Sequence, residues 1–304
     1  MQIANNVREL VGKTPLIRIN SFSKEAKIIA KVEFLNPGHS IKDRIALNMI
    51  NEAFKKGAIN ENSVIIEPTS GNTGVGLAMI AASYGLRAIF TMPSSMSLER
   101  QKLLLAYGAE LVLTEPKLGM KGAVDKANEL AKEIKNSFIP SQFDNPDNPK
   151  AHENTTAKEI LEQSDGKIDI IIAGFGTGGT ISGTARVLKK HIKNLKVIAV
   201  EPQASPLLSQ GYAAAHAIQG IGANFVPQNL DKSVIDEFFT VSNENAIATT
   251  QKLARQEGLL AGISSGANIF AASEFAKLSQ NANKTILTFL NDTGERYIST
   301  GIFG

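Results

Sequence analysis

SVIIEPTSGNTGVGLAMIAASYG, residues 63–85, places a β-rich segment, a tight glycine turn and an amphipathic run in immediate succession. The branched aliphatics at its start favour a pleated strand, and the run after Gly74 has the length and pattern of a helix. The same succession recurs along the chain. RAIFTMP (87–93) precedes SLERQKLLLAYG, and ELVLTE (110–115) precedes a run in which Ala123, Ala127, Leu130, Ala131 and Ile134 repeat at helical spacing. IDIIIAGF (168–175), KVIAVEP (196–202) and KTILTFLND (284–292) each lie near a further helical pattern. Strand-helix alternation of this kind predicts an α/β fold of mostly parallel, twisted sheets covered by helices. SQFDNPDNPKAH (141–152), with two Asx-Pro pairs, interrupts the pattern and is a candidate hinge. Two lobes are expected, a smaller mobile one over 40–145 and a larger one over 1–39 plus 146–304, with a cleft between them.

Composition narrows what the motifs can mean. At 304 residues and 43% hydrophobic, the chain has ample material for a full core. Lys and Arg total 32 against 29 Asp and Glu, and with no basic block the net charge of +3 gives no sign of nucleic acid. No apolar run reaches the ~18 residues needed to span a bilayer, and MQIANNVRELVGKTP lacks the apolar core of a signal peptide, so a cytoplasmic protein is expected. There is no Cys, and His39, His152, His191 and His216 show no ligand spacing, so no metal is expected.

Four motifs carry chemistry. NPGHSIKDR (36–44) leads into the helical pattern IALNMINEAFKKG, with Ser40 as N-cap and Asp43 in the first turn. Lys42 then sits at a helix start, where the macrodipole and uncapped N–H groups favour the neutral amine that condenses with an aldehyde. TSGNTG (69–74) follows a strand and opens a helix, so Ser70, Asn72 and Thr73 can aim donors at a small carboxylate. GFGTGGT (174–180) likewise joins a strand to a helix, and its amides and threonine hydroxyls form a cradle for a phosphate. GISSGA (262–267), taken alone, is a serine-rich helix start that capping explains.

The third motif has a rival reading. Gly174, Gly176 and Gly179 satisfy GxGxxG, and Glu201, at the end of a predicted strand, stands where a dinucleotide fold keeps its ribose-binding acid. A dinucleotide-dependent oxidoreductase is therefore the alternative from another class, although it leaves Lys42, TSGNTG and GISSGA without roles.

Taken in order, NPGHSIKDR, TSGNTG, GFGTGGT, QGIGANFVP (219–227), GISSGA and DTGERYIST (292–300) resemble the cysteine synthase (O-acetylserine sulfhydrylase) family of fold-type II pyridoxal-phosphate (PLP) enzymes. TMPSSMSLERQKLLLAYGAELVLT (91–114) looks the same, so the resemblance covers nearly the whole chain. It implies a tryptophan synthase β-like fold with the active site in the cleft between lobes. It implies Lys42 as the internal aldimine lysine, Asn72 at the cofactor's 3′-oxygen, and Gly176, Thr177, Gly178, Gly179 and Thr180 around the phosphate. Ser264 would face the pyridine nitrogen, with Ser265 left open as the alternative. Thr69, Ser70, Gly71, Thr73 and Gln142 would bind the substrate carboxylate, and Gly220 would border the amino-acid site.

The implied reaction is a ping-pong β-replacement through an α-aminoacrylate, in which sulfide displaces the acetoxy group of O-acetyl-L-serine to give L-cysteine and acetate. A homodimer is implied as well, and the C-terminal tail of serine acetyltransferase is an implied partner. Within the same fold, cystathionine β-synthase and a cysteine-degrading, sulfide-releasing lyase are the alternatives. Two positions depart from the usual pattern. His39 stands where a small residue is commoner and reads as a packing or surface variant. Asn224 replaces a frequent glycine, and asparagine keeps access to φ > 0.

Overall fold

The computed structural model describes residues 3–304, and this chain falls into two compact units. The first joins the residues up to Val11 with Asn36–Asn148, and the second joins Gly12–Leu35 with Pro149–Gly304. The chain passes between them three times, after Val11, after Leu35 and after Asn148, the last inside the Asx-Pro stretch.

Four parallel strands form the sheet of the first unit: β3 (Val64–Pro68), β4 (Arg87–Pro93), β5 (Glu110–Thr114) and β6 (Ser137–Phe138), in the order β5-β4-β3-β6. Its helices are α1 (Lys42–Lys55), α2 (Asn72–Tyr84), α3 (Leu98–Ala106) and α4 (Gly119–Glu133). The spacing of Ala127, Leu130 and Ala131 on α4, with Ile134 just beyond it, proves to be a core face, packed with Val64, Ile66 and Ile89 of the sheet. The amino-terminal segment belongs here because the Arg8 guanidinium donates to the Ser83 carbonyl at 2.8 Å and lies 3.8 Å over the Tyr84 ring.

The second unit holds six strands in the order β1-β2-β10-β7-β8-β9. They are β1 (Leu16–Ile19), β2 (Lys27–Val32), β7 (Ile170–Gly174), β8 (Lys196–Pro202), β9 (Glu237–Val241) and β10 (Thr285–Leu290). All pairings are parallel except β1 with β2. Between β6 and β7 lie α5 (Asp147–Ala151), a π-helical turn at His152–Thr156, and α6 (Ala157–Ser164). The remaining helices are α7 (Gly179–His191), α8 (Leu207–Gln210), α9 (Asn243–Glu257) and α10 (Ile263–Ala276). Ile170, Ile172, Ile198, Val200, Ile286 and Leu290 of the sheet share one core with Ala267, Ala271 and Ala272 of α10.

The structure departs from the sequence reading in three local respects. The run after Gly74 is not amphipathic: α2 is buried from Thr73 to Ala81 without interruption, so apolar residues fill all its sides. The N-cap of α1 is Ile41 rather than Ser40, whose hydroxyl instead accepts from the Lys42 N–H at 3.2 Å. The serines of GISSGA lie inside α10, one and two residues past its first, and the N-cap is Gly262 with no side-chain cap.

Gly266, in that motif, is required for helix packing. A Cβ there would lie 2.0 Å from Thr250 Oγ1 and 2.3 Å from the Ala246 carbonyl oxygen, both on α9. Gly266→Ala is expected to lower the unfolding free energy by about 1–3 kcal/mol through overpacking, read as a lower denaturant midpoint at unchanged slope.

Candidate active site

Lys42 is the first residue of α1 and is half-buried. The turn before it is closed by Asp43, whose Oδ2 accepts from the Gly38 N–H at 2.6 Å, while the His39 N–H bonds the Asn36 carbonyl at 2.8 Å. His39 itself is exposed at φ +60. Gly76 lets α2 approach the start of α1, since a Cβ there would sit 3.2 Å from the Lys42 carbonyl oxygen and 3.1 Å from Ala46 Cβ.

TSGNTG occupies the turn from β3 into α2. Thr69 is buried, Ser70 and Gly71 are half-buried, and Asn72 and Thr73 are the first two residues of the helix. The Gly71 N–H reaches Thr69 Oγ1 at 3.3 Å, and Arg100 of α3 donates to the Ser70 carbonyl at 3.3 Å. Thr73 and Gln142 are brought together, with the threonine hydroxyl donating to Gln142 Oε1 at 2.6 Å. Behind them lies a residue that the motifs do not reveal. Glu67, near the end of β3, is buried and accepts from the Ser141 N–H at 2.9 Å and the Gln142 N–H at 3.1 Å. Burial pushes its carboxyl up to about 7, with Asp144 nearby raising it further and the two N–H groups opposing the shift.

In the second unit GFGTGGT turns from β7 into α7, with Gly178 as N-cap at φ +81 and Gly179 as the first helical residue. Thr177 is buried and Thr180 half-buried. Backbone packs tightly around this turn: a Cβ on Gly176 would lie 2.5 Å from the Gly220 carbonyl oxygen, and one on Gly178 would lie 2.7 Å from Leu230. Gly220, at φ +96, has Ser264 Oγ 3.6 Å from its own Cβ position, so Gly176, Gly220 and Ser264 form one neighbourhood. Ser264 Oγ accepts from Asn291 Nδ2 at 3.0 Å, whereas Ser265 Oγ accepts from the Asn291 backbone N–H at 2.9 Å. Thr180 Oγ1 lies 3.3 Å from His152 Nε2, and His152 Nδ1 lies 2.9 Å from Thr156 Oγ1 within the π turn. Asn224 sits at φ +64 and accepts from the Ser205 hydroxyl at 2.7 Å.

Asn291 and His152 carried no sequence signal, because each acts through a neighbour distant in the chain.

Three of the four helices that follow the motifs share one property, α1 with Ile41 at its N-cap being the exception. α2, α7 and α10 each have glycine at the N-cap and no side-chain cap, whereas Ser97 caps α3 and Ser242 caps α9. First-turn N–H groups have no intrahelical acceptor, so glycine caps leave the helix start open to an anion.

GxGxxG has a different explanation here. Glu201 is buried, and both carboxylate oxygens are occupied, Oε1 by the Leu208 N–H at 2.8 Å and Oε2 by the Ser209 N–H at 3.0 Å. The Gly174 N–H donates to Asn268 Oδ1 at 2.7 Å, and a Cβ at Gly174 would meet Ile221 at 2.7 Å. The acid expected to bind a ribose serves instead to anchor the start of α8.

The chain belongs to the family of pyridoxal-phosphate dependent enzymes, which it matches over residues 7–292. Within that family it is 55% identical over 303 residues to "Cysteine synthase B" of Campylobacter jejuni subsp. jejuni, covering 100% of both chains. Among solved structures, the cysteine synthase of Entamoeba histolytica aligns with a TM-score of 0.95 at 40% identity, over 99% of this chain and 91% of that one. A hydrogen sulfide-producing enzyme of Fusobacterium nucleatum aligns at 0.92 and 46% identity, over 97% of this chain and 100% of that one.

The cofactor is pyridoxal phosphate, and the second unit's cradle suits it chemically. Its donors are glycine amides, threonine hydroxyls and the uncapped start of α7, a set made for a phosphate monoester. Among the described residues no helix is long and apolar enough to cross a membrane, and no cluster of His, Cys, Asp or Glu could hold a metal.

The raised Glu67 carboxyl has a consequence for stability. Because its folded value of about 7 exceeds the ordinary 4.5, its contribution is fully present below 4.5 and is lost as pH rises through 7. Glu67→Gln is expected to remove up to about 3 kcal/mol of this decline, so the variant gains on the parent protein between pH 5 and pH 8 in denaturant unfolding.

Proposed function

We propose that this chain joins O-acetyl-L-serine and sulfide into L-cysteine and acetate by PLP-dependent β-replacement. Similarity to a cysteine synthase over the entire length of both chains carries the reading. The open helix starts of the two units supply the anion sites that the reaction needs.

Bound PLP supplies an electrophilic carbonyl carbon and an electron-withdrawing ring that acidifies the α-proton of an attached amino acid. Gly176, Thr177, Gly178, Gly179 and Thr180 hold its phosphate, and the His152 imidazole orients the Thr180 hydroxyl. Ser264 serves the pyridine nitrogen. Asn291 already fills one lone pair of its oxygen, leaving the O–H to donate, while Ser265 is committed to the backbone after β10. A neutral hydroxyl there, instead of an acid, keeps the ring a moderate electron sink and favours elimination at the β-carbon.

Asn72 orients the cofactor through its 3′-oxygen. Thr69, Ser70, Gly71, Thr73 and Gln142 take the substrate carboxylate at the start of α2, and Gly220 borders the amino-acid site. Lys42 would hold the cofactor through its Nζ, and the same Nζ, once released, would take the α-proton of the bound amino acid. Acetate departs with the electron pair of the Cβ–O bond, and sulfide restores a bond at the same carbon in the second half of a ping-pong cycle.

The family resemblance extends the proposal to a cytoplasmic homodimer that can accept the serine acetyltransferase tail. A sulfide-releasing lyase is the second reading, favoured by the likeness to the hydrogen sulfide-producing enzyme, which is 46% identical.

A visible spectrum recorded while O-acetylserine and then sulfide are added tests the reading. The cofactor band is expected to shift with the first and return with the second as cysteine forms. A band that responds to cysteine and releases sulfide, but ignores O-acetylserine, would select the lyase. Lys42→Ala is expected to lower turnover by about 10²–10⁴-fold and to remove the band of covalently held cofactor, both read on the purified variant.

A further inference from the structure

Glu67 stands two residues before Thr69 at the end of β3, 1% exposed, and its carboxylate touches none of the TSGNTG side chains in the bonds described above. Its two oxygens divide between consecutive backbone N–H groups, those of Ser141 and Gln142. Ser141 is held at φ +54, a left-handed conformation that a residue with a Cβ adopts at an energetic cost. Such a conformation persists only where surrounding bonds over-determine it, and here they do. The Asp144 and Asn145 N–H groups bond the Ser141 carbonyl at 3.0 and 2.9 Å, and Asn148 Nδ2 bonds the Gln142 carbonyl at 2.7 Å. The strained step delivers the Gln142 carboxamide to Thr73, whose hydroxyl donates to its oxygen.

A neutral side chain would serve this position poorly. Two parallel N–H donors need two acceptor oxygens, and only a carboxylate has both, since glutamine would set its own NH₂ against one of them. Burial disfavours charge on this carboxyl, yet both of its oxygens are spent on the two consecutive backbone N–H groups.

We propose that Glu67 is a positioning residue for recognition of the substrate's carboxylate: acting through the Ser141–Gln142 backbone, it fixes Gln142 against Thr73 at the start of α2. The inference rests on the reading that this turn takes the amino-acid carboxylate, and it adds a determinant of affinity for that group.

The test uses the holoenzyme with Glu67→Gln, Glu67→Asp, Gln142→Ala and the double variant Glu67→Gln/Gln142→Ala. Four quantities are read: KM for O-acetylserine, maximal rate, the dissociation constant of L-alanine from the cofactor spectrum, and amide exchange at residues 141–142. Glu67→Gln is expected to raise KM and the L-alanine constant about tenfold, lower the maximal rate less than threefold, and accelerate exchange at both amides. Glu67→Asp, which keeps two oxygens on a shorter arm, should fall between the parent and Glu67→Gln, and it carries the test should the glutamine variant not fold. In the double variant the KM should match that of Gln142→Ala alone, because both substitutions remove one device. Faster exchange with KM unchanged, or effects of the two substitutions that multiply, would assign Glu67 a purely structural role. A parent protein whose cofactor band ignores every amino acid would instead sink the functional reading, and this inference with it.

Discussion

A helix that begins on glycine leaves its first N–H groups for something outside the chain, and the chemistry of this protein depends on that arrangement. α2, α7 and α10 follow three of the four signature motifs and begin this way, while α3 and α9 close their own first turns with serine. Glycine has a second use at these turns. Gly176 and Gly178 lie where any Cβ would strike the backbone at Gly220 or Leu230, so the same residues that open the helix start also let neighbouring loops close around it. Donor exposure and tight packing are thus obtained from one residue type, which explains why the glycines cluster there.

Carboxylates near strand ends hold backbone segments in both units. Glu67 near the end of β3 and Glu201 near the end of β8 each precede a proline, are buried, and accept from two consecutive backbone N–H groups of a following segment. A buried acid is costly when isolated, but two N–H donors satisfy its oxygens and fix the connection that leaves the sheet. Lys31 is the cationic counterpart. Fully buried in β2, it bonds the Thr14 carbonyl, Glu159 Oε2 at 2.7 Å and Gln163 Oε1 at 3.0 Å, joining β2 of the six-stranded sheet to α6. Removing any one partner from such a set would strand a buried charge.

These buried charges also mark where the sequence ceases to be legible. Strands β3, β4, β5, β7, β8 and β10 announce themselves as aliphatic runs with helical patterns nearby, as strands of a parallel sheet covered by helices do. LIRI and KIIAKV, which form β1 and β2, carry Arg18, Lys27 and Lys31, so hydrophobic periodicity alone does not single them out. EFFTV, which forms β9, is only half-buried over most of its length at the sheet edge. The motif residues were legible because glycine, serine and threonine at a strand-helix turn have few other uses. Glu67, His152 and Asn291 were not, since each is defined by a partner tens of residues away: Ser141 and Gln142, Thr180, and Ser264. GxGxxG misled for the same reason. The string is local, but the fate of Glu201 is settled by the amides of α8.

Strand order also sets a schedule for synthesis. β10, close to the carboxyl end, lies between β2 and β7 and is hydrogen-bonded to both, so the middle of the six-stranded sheet cannot be completed until residue 290 has emerged from the ribosome. The four strands of the other sheet all fall between Val64 and Phe138 and need nothing from later in the chain to pair. A nascent chain therefore carries β1 and β2, with their aliphatic faces uncovered, through most of translation while a complete smaller sheet already stands beside them in sequence. Any chaperone that attends this protein at the ribosome has its task defined by that interval.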